Sequence, residues 1–174
     1  SFLLPIWIDL EKLKEAPVIA DLHKKYPQFE FIILMASRLT REKNIGMALE
    51  AVGEVFKKYP KAGLVIAGDG PLRKQLEVES QKATKSIKSK VGSQVVFEGW
   101  VSDLTSYYKT ADLFLLTSNY EGYGRTLIEA AAARCPIVTT DVGIAGDIIN
   151  NENSIIVPVG DKELLVKAIL DVIE

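Results

Sequence analysis

The sequence predicts an α/β fold, a doubly wound parallel sheet of about six strands covered by helices on both faces. Three observations carry this. Six short runs are apolar on consecutive positions, as strands buried on both faces are. Stretches of helical period separate these runs, and strand–helix alternation builds a parallel sheet. The strand-to-helix turns hold paired acids, clustered cations and glycines, and in such sheets ligands sit outside the carboxyl ends of the strands.

In chain order, FIILMA (31–36) is the first strand and 44–59 the first long helix. GLVIAG (63–68) is followed by a helix over 72–89, with Pro71 at its first position, where a missing N–H costs nothing. QVVFEG (94–99) leads to a short helix over 103–109, with Ser102 as the expected cap. LFLLTS (113–118) precedes a helix over 126–134, and PIVTT (136–140) one over 144–150. SIIVP (154–158) closes the sheet before a last helix over 162–173. Residues 1–20 read as a leading, interdomain segment and 21–174 as the domain proper. The start on apolar SFLLPIWI without Met reads as a piece of something longer.

Bulk properties exclude more than they assign. A length of 174 residues suits one domain with a real core. With 25% charged residues and a net charge of −2, nothing points to nucleic acid as a partner. The single cysteine, Cys135, forms no internal disulfide, which fits a reducing, cytoplasmic setting. The only histidine, His23, lies in DLHKKYP, an exposed helix end, so a Cys–His pair is not indicated. No apolar run approaches the roughly 20 residues of a membrane span. The basic stretch 73–90 carries six Lys or Arg against two Glu. It reads as a solvated helix and loop, or as peripheral contact with the cytoplasmic membrane face.

Four turns carry the chemistry. SRLTREKN (37–44) crowds Arg38, Arg41 and Lys43 at a helix start. Cations there oppose the helix dipole unless an anion joins them, so the loop is either solvated charge or a diphosphate site. AGDGPL (67–72) is a tight turn that matches no dinucleotide or Walker pattern. GWVSDL (99–104) offers Trp100 and Val101 as an edge on which a flat base could lie. NYEGYGRTLIEAAA (119–132) places Gly122 and Gly124 before a helix starting near Arg125 or Thr126. Backbone amides there can approach an anion closely. Glu129 lies about one turn into the helix and faces the turn, within reach of a sugar hydroxyl, and Glu121 stands before the glycines. Two carboxylates beside an anion site suit a ligand that carries both phosphates and hydroxyls.

On these residues the chain resembles the nucleotide-sugar-binding, C-terminal half of group 1 (family-four) retaining glycosyltransferases, built from two facing Rossmann-like domains. The resemblance runs in order through SRLTREKN, VIAGDGP, VVFEGWV, ADLFLLTSNYEGYGRTLIEAAAARCPIVTTDVG and ENSIIVPVGDKELLVKAI. Its specific part is EGYGRTLIE, two Glu separated by seven residues. It implies that Arg38 and Lys43 hold the donor diphosphate and that Glu129 binds ribose. It also implies that Glu121 meets the transferred sugar, with Gly122, Tyr123 and Gly124 offering backbone groups. Thr126 and Leu127 would add amides to the phosphates, and Trp100 and Val101 would flank the base. The donor implied is a UDP- or GDP-linked sugar, with no metal or other cofactor. The acceptor (a glycan, a lipid-linked sugar or a small molecule) would sit on the amino-terminal domain. VGIAGDII (142–149) departs from the family's Gly-Gly-x-x-Glu, and PIWID (5–9) from its Asn-Gly before Asp. A non-catalytic nucleotide-sugar module or an epimerase of the same architecture would share much of this pattern.

Overall fold

Six strands form one parallel sheet: β1 (Phe31–Ala36), β2 (Ala62–Ala67), β3 (Val95–Gly99), β4 (Leu113–Leu116), β5 (Ile137–Thr140) and β6 (Ser154–Val157). Their order is β3-β2-β1-β4-β5-β6, so the winding reverses between β1 and β4. The computed structural model describes residues 9–84, 93–147, 149–150 and 154–174.

Alternate residues of each strand feed two cores. Ile33, Met35, Leu64, Ile66, Leu113 and Leu115 face α3 (Ile45–Lys58) and α7 (Lys162–Ile173). Ile32, Leu34, Val65, Phe114 and Leu116 meet Leu22 of α2 (Leu22–Lys25), Tyr108 of α5 (Leu104–Thr110) and Leu127 of α6 (Arg125–Ala132). Both faces are thus dry, which is why the strands read as unbroken apolar runs. Because β1 and β4 are neighbours, the turns that follow them open side by side where the winding reverses.

Three local expectations are corrected. Residues 144–150 form no helix among the described positions. Gly143 and Gly146 take φ of +61° and +87°, and Gly146 N donates to Ile149 O at 2.7 Å. Left-handed backbone at Gly146 interrupts the right-handed helix that the apolar spacing suggests. The cap of α5 is Asp103, not Ser102: its carboxylate accepts from Ser106 N at 3.2 Å. Pro71 is not the first helical residue, because α4 (Arg73–Thr84) starts two positions later, after Leu72 N has donated to Leu39 O at 3.1 Å. The rest of the expected helix over 72–89, and the last third of the basic stretch 73–90, lie outside the described residues.

The leading segment is fastened down from residue 9 onward. Asp9 caps α1 (Leu10–Glu15), and Lys109 Nζ donates to Lys14 O and Ala16 O at 2.8 and 2.5 Å. Ile19 N donates to Ser106 Oγ at 2.9 Å. His23 sits in the short helix α2 with its side chain 41% exposed, its Nε2 3.0 Å from Asp112 Oδ2. Residues 1–8, and with them most of PIWID, lie outside the described residues.

Candidate functional site

The turn after β1 and the turn after β4 are bound to each other by side chains and backbone alike. Arg41–Lys43 form a single 3₁₀ turn, and Asn44 takes a left-handed conformation (φ +46°) to start α3. Thr117 Oγ1 reaches the carbonyls of Lys43 and Asn44 at 3.0 and 3.1 Å. Asn119 N donates to Glu42 O at 2.8 Å, and Asn44 Nδ2 to Asn119 Oδ1 at 3.0 Å. This lacing brings Lys43 Nζ within 2.6 Å of Glu121 Oε1, both side chains being only 13% and 12% exposed. Ser118 Oγ donates to the same carboxylate oxygen at 2.7 Å, and Thr140 Oγ1 holds Ser118 O at 2.7 Å. Glu121 is therefore held by a cation and a hydroxyl, and among the described residues its other oxygen has no hydrogen bond.

Two cavities open at this edge and share Ser37, Arg38 and Thr126. One, of about 230 Å³, is lined by Arg38, Lys43, Glu121, Arg125 and Thr126. The other, of about 340 Å³ and mainly apolar, lies between Gly68, Asp69, Trp100, Val101 and Leu104. Trp100 is 85% exposed at its rim. Arg38 is 76% exposed and touches Glu42 at 3.5 Å, so its guanidinium is close to free. The helix α6 starts at Arg125, after Gly124 has turned left-handed at φ +88°. Thr126 faces both cavities from that first turn.

Glu129 stands apart. It lines a third cavity of about 380 Å³ beneath α1, with Asp9, Lys12, Thr105 and Arg125. Its Oε1 accepts from Arg125 Nε at 2.8 Å and its Oε2 from the Tyr108 hydroxyl at 3.2 Å. Burial, then the neighbouring Glu129 charge, holds the Tyr108 phenol well above its usual value, so this hydroxyl stays a donor. Burial pushes the Cys135 thiol up to about 12, and a thiol held protonated is no nucleophile.

The structure thus brings Arg38, Lys43, Glu121 and Thr126 to one cavity and Trp100 and Val101 to its neighbour, with Glu129 one helical turn away. Gly122 is exposed and open, whereas Tyr123 is half-buried and its carbonyl accepts from Ile144 N at 3.0 Å. Leu127 is turned away: its side chain is buried in the core and its amide donates to Gly124 O at 2.9 Å. Arg125, Ser37, Ser118 and Tyr108 were not legible as site residues. Only Arg125 left a signal, its spacing of four from Glu129. Among the described residues, no group of three or more His, Cys, Asp or Glu is placed to hold a metal ion.

An all-parallel sheet with order reversal, whose carboxyl edge holds two adjoining cavities beside the switch point, defines a Rossmann-like α/β domain. The chain belongs to the group 1 glycosyl transferases, whose family model matches residues 20–174. It is 37% identical over 113 residues to an alpha-monoglucosyldiacylglycerol synthase of Acholeplasma laidlawii, covering 63% of this chain and 26% of that protein. It is 26% identical over 175 residues to the UDP-Gal:alpha-D-GlcNAc-diphosphoundecaprenol alpha-1,3-galactosyltransferase of Escherichia coli, 97% of this chain and 44% of that one. The C-terminal domain of a group 1 glycosyl transferase from Francisella tularensis superposes with a TM-score of 0.78 at 21% identity, covering 96% of this chain and 88% of that one. The chain therefore spans less than half the length of these two curated relatives.

Proposed function

We propose that this chain is the donor-binding domain of a retaining glycosyltransferase that moves a sugar from a UDP- or GDP-linked donor to an acceptor hydroxyl. The observation that carries this is the cavity of Arg38, Lys43, Glu121 and Thr126, which joins two cations to a carboxylate at a helix start. Lys43 and Glu121 neutralise each other in the empty cavity, but the largely exposed Arg38 leaves positive charge beside a helix N-terminus, where an anion is favoured, and Glu121 can accept from ligand hydroxyls. A sugar diphosphate supplies both. The apolar cavity next door, of about 340 Å³ with Trp100 and Val101 on its edge, has room for a base. The name of the Escherichia coli relative, a UDP-galactose transferase, supports the same donor class.

In this reading the glycosidic C–O bond breaks as the acceptor oxygen attacks from the same face, and the departing diphosphate takes up the acceptor proton. Negative charge grows on the leaving phosphate, where Arg38 and Lys43 already stand. Such fixed charge needs no reorganisation at the moment of bond breaking. Glu121 binds hydroxyls of the transferred sugar through its second oxygen, and Glu129 binds ribose. No metal or organic cofactor takes part in this reading. The acceptor, a glycan, lipid-linked sugar or small molecule, binds to the remainder of the two-domain enzyme, in the cytoplasm.

Thermal-shift titration with UDP, GDP, ADP and inorganic phosphate tests this. Ligand at ~100 times its dissociation constant stabilises by about 2.7 kcal/mol. At roughly 2–4 °C per kcal/mol for a domain of this size, that is well within detection. A shift with UDP or GDP, well above that with phosphate, is expected. No shift with either nucleotide, for the chain and for the whole protein, overturns the reading.

A further inference from the structure

Arg125 occupies an awkward place. It is the first residue of α6, where the helix dipole disfavours a cation. It lines both the cavity of Arg38, Lys43 and Glu121 and the cavity where Glu129 opens. Its Nε donates to Glu129 Oε1, yet the two partners are held very differently. The Arg125 side chain is 62% exposed, against 15% for Glu129. Glu129 is also gripped from the core side by Tyr108, whose own ring is fully buried against Phe114. A pair spaced four apart on a helix, with its arginine mostly in solvent, is weakly held, on the order of thermal energy. The carboxylate is fixed, therefore, and the guanidinium is free to leave.

The contact has a chemical consequence. While it lasts, Arg125 covers one of the oxygens that Glu129 would offer to a ribose. A guanidinium also forks onto phosphate in a bidentate way that a lysine cannot match. We propose that Arg125 is a third cation of the donor site, which on binding leaves Glu129 and forks onto the donor diphosphate. The same movement uncovers Glu129 Oε1 for the ribose hydroxyls, so phosphate recognition and ribose recognition become one coupled event. This rests on the donor-binding reading and adds a residue and an order of events to it.

The test compares UDP with uridine (or GDP with guanosine, if titration selects guanosine), the nucleoside by NMR titration because its affinity is weak. Wild type, Arg125→Ala and Arg125→Lys are measured, each with its melting temperature. The alanine variant is expected to lose about tenfold in UDP affinity while uridine binding holds or improves up to a few-fold, because Glu129 is no longer covered. The lysine variant recovers part of the UDP affinity. A merely structural arginine, one that orders Glu129, would on removal weaken uridine and UDP alike, and that result overturns the proposal. So does an alanine variant that binds UDP as wild type does. Absence of binding to either nucleotide by the wild-type chain and by the whole protein overturns the donor reading itself, and this proposal with it.

Discussion

At the scale of single residues, the Lys43–Glu121 pair governs what the cavity does when empty. The two groups lie 2.6 Å apart and nearly out of solvent, so each is neutralised by the other. Removing one leaves the other unpaired, at a cost of about 2–3 kcal/mol, somewhat below that of a fully buried pair. Lys43→Met and Glu121→Gln are thus both expected to lower the melting temperature, by roughly 4–12 °C. Their effects on binding should have opposite signs. In Lys43→Met the diphosphate loses a charge-assisted hydrogen bond, and UDP or GDP affinity falls about tenfold or more. In Glu121→Gln the lysine is released from its internal partner, and affinity for the bare nucleoside diphosphate rises several-fold. Affinity for the whole sugar nucleotide gains less, since the sugar loses its carboxylate. Calorimetry on the two variants checks this; a loss of bare diphosphate affinity in both would show that Glu121 serves to aim Lys43 rather than to compete for it.

At the scale of turns, helices and strands, the glycines divide by function. Gly68 follows β2 with φ +140°, and a methyl group placed there would lie 1.9 Å from the Ser37 carbonyl oxygen. That turn is packed backbone against backbone onto the turn after β1, so its glycine serves the fold. Gly122 has nothing within 4 Å of where a methyl group would stand. Gly68→Ala is expected to cost at least about 3 kcal/mol through strain and overpacking. Gly122→Ala is expected to leave the melting temperature within about 1 °C and to weaken sugar-nucleotide binding, because only a ligand competes for that space. Thermal melts together with calorimetry separate the two, and a Gly122→Ala variant with unchanged affinity would remove Gly122 from the site. The same division explains what was readable. Strands buried on both sides read as apolar runs, and α7 was legible to its bounds because Asp161 caps its amphipathic run. The segment 144–150 has helical apolar spacing as well, but Gly146 is left-handed there, a fact that periodicity does not carry. Turn chemistry marked Arg38, Lys43, Glu121 and Glu129. The Tyr108–Glu129 contact joins α5 to α6 across 21 positions, and only tertiary packing makes it.

At the scale of the whole molecule, both cavities beside the switch point open at one edge of the sheet, and Arg38, Lys43 and Glu121 stand on that edge with Glu129 one helical turn behind. Trp100 and Tyr120 are broadly exposed and belong to turns at that same edge. In the donor-binding reading this arrangement serves a leaving group. The cations would stabilise charge on a departing diphosphate and the carboxylates would hold hydroxyls, but the acceptor oxygen would have to be brought in from the open side. The curated relatives named above are more than twice as long as the part of them that this chain matches. That reading and the shorter span of this chain together predict that the 174 residues bind a nucleoside diphosphate and transfer no sugar. Incubation with a labelled sugar nucleotide, under conditions where calorimetry shows the donor bound, is expected to release no labelled glycoside and at most a trace of free sugar. The whole protein, given the same donor and a lipid or glycan acceptor, is expected to turn over. Transfer by the chain alone would mean that the donor edge also carries the acceptor site, and the exposed surface around Trp100 and Tyr120 would then be the place to look for it.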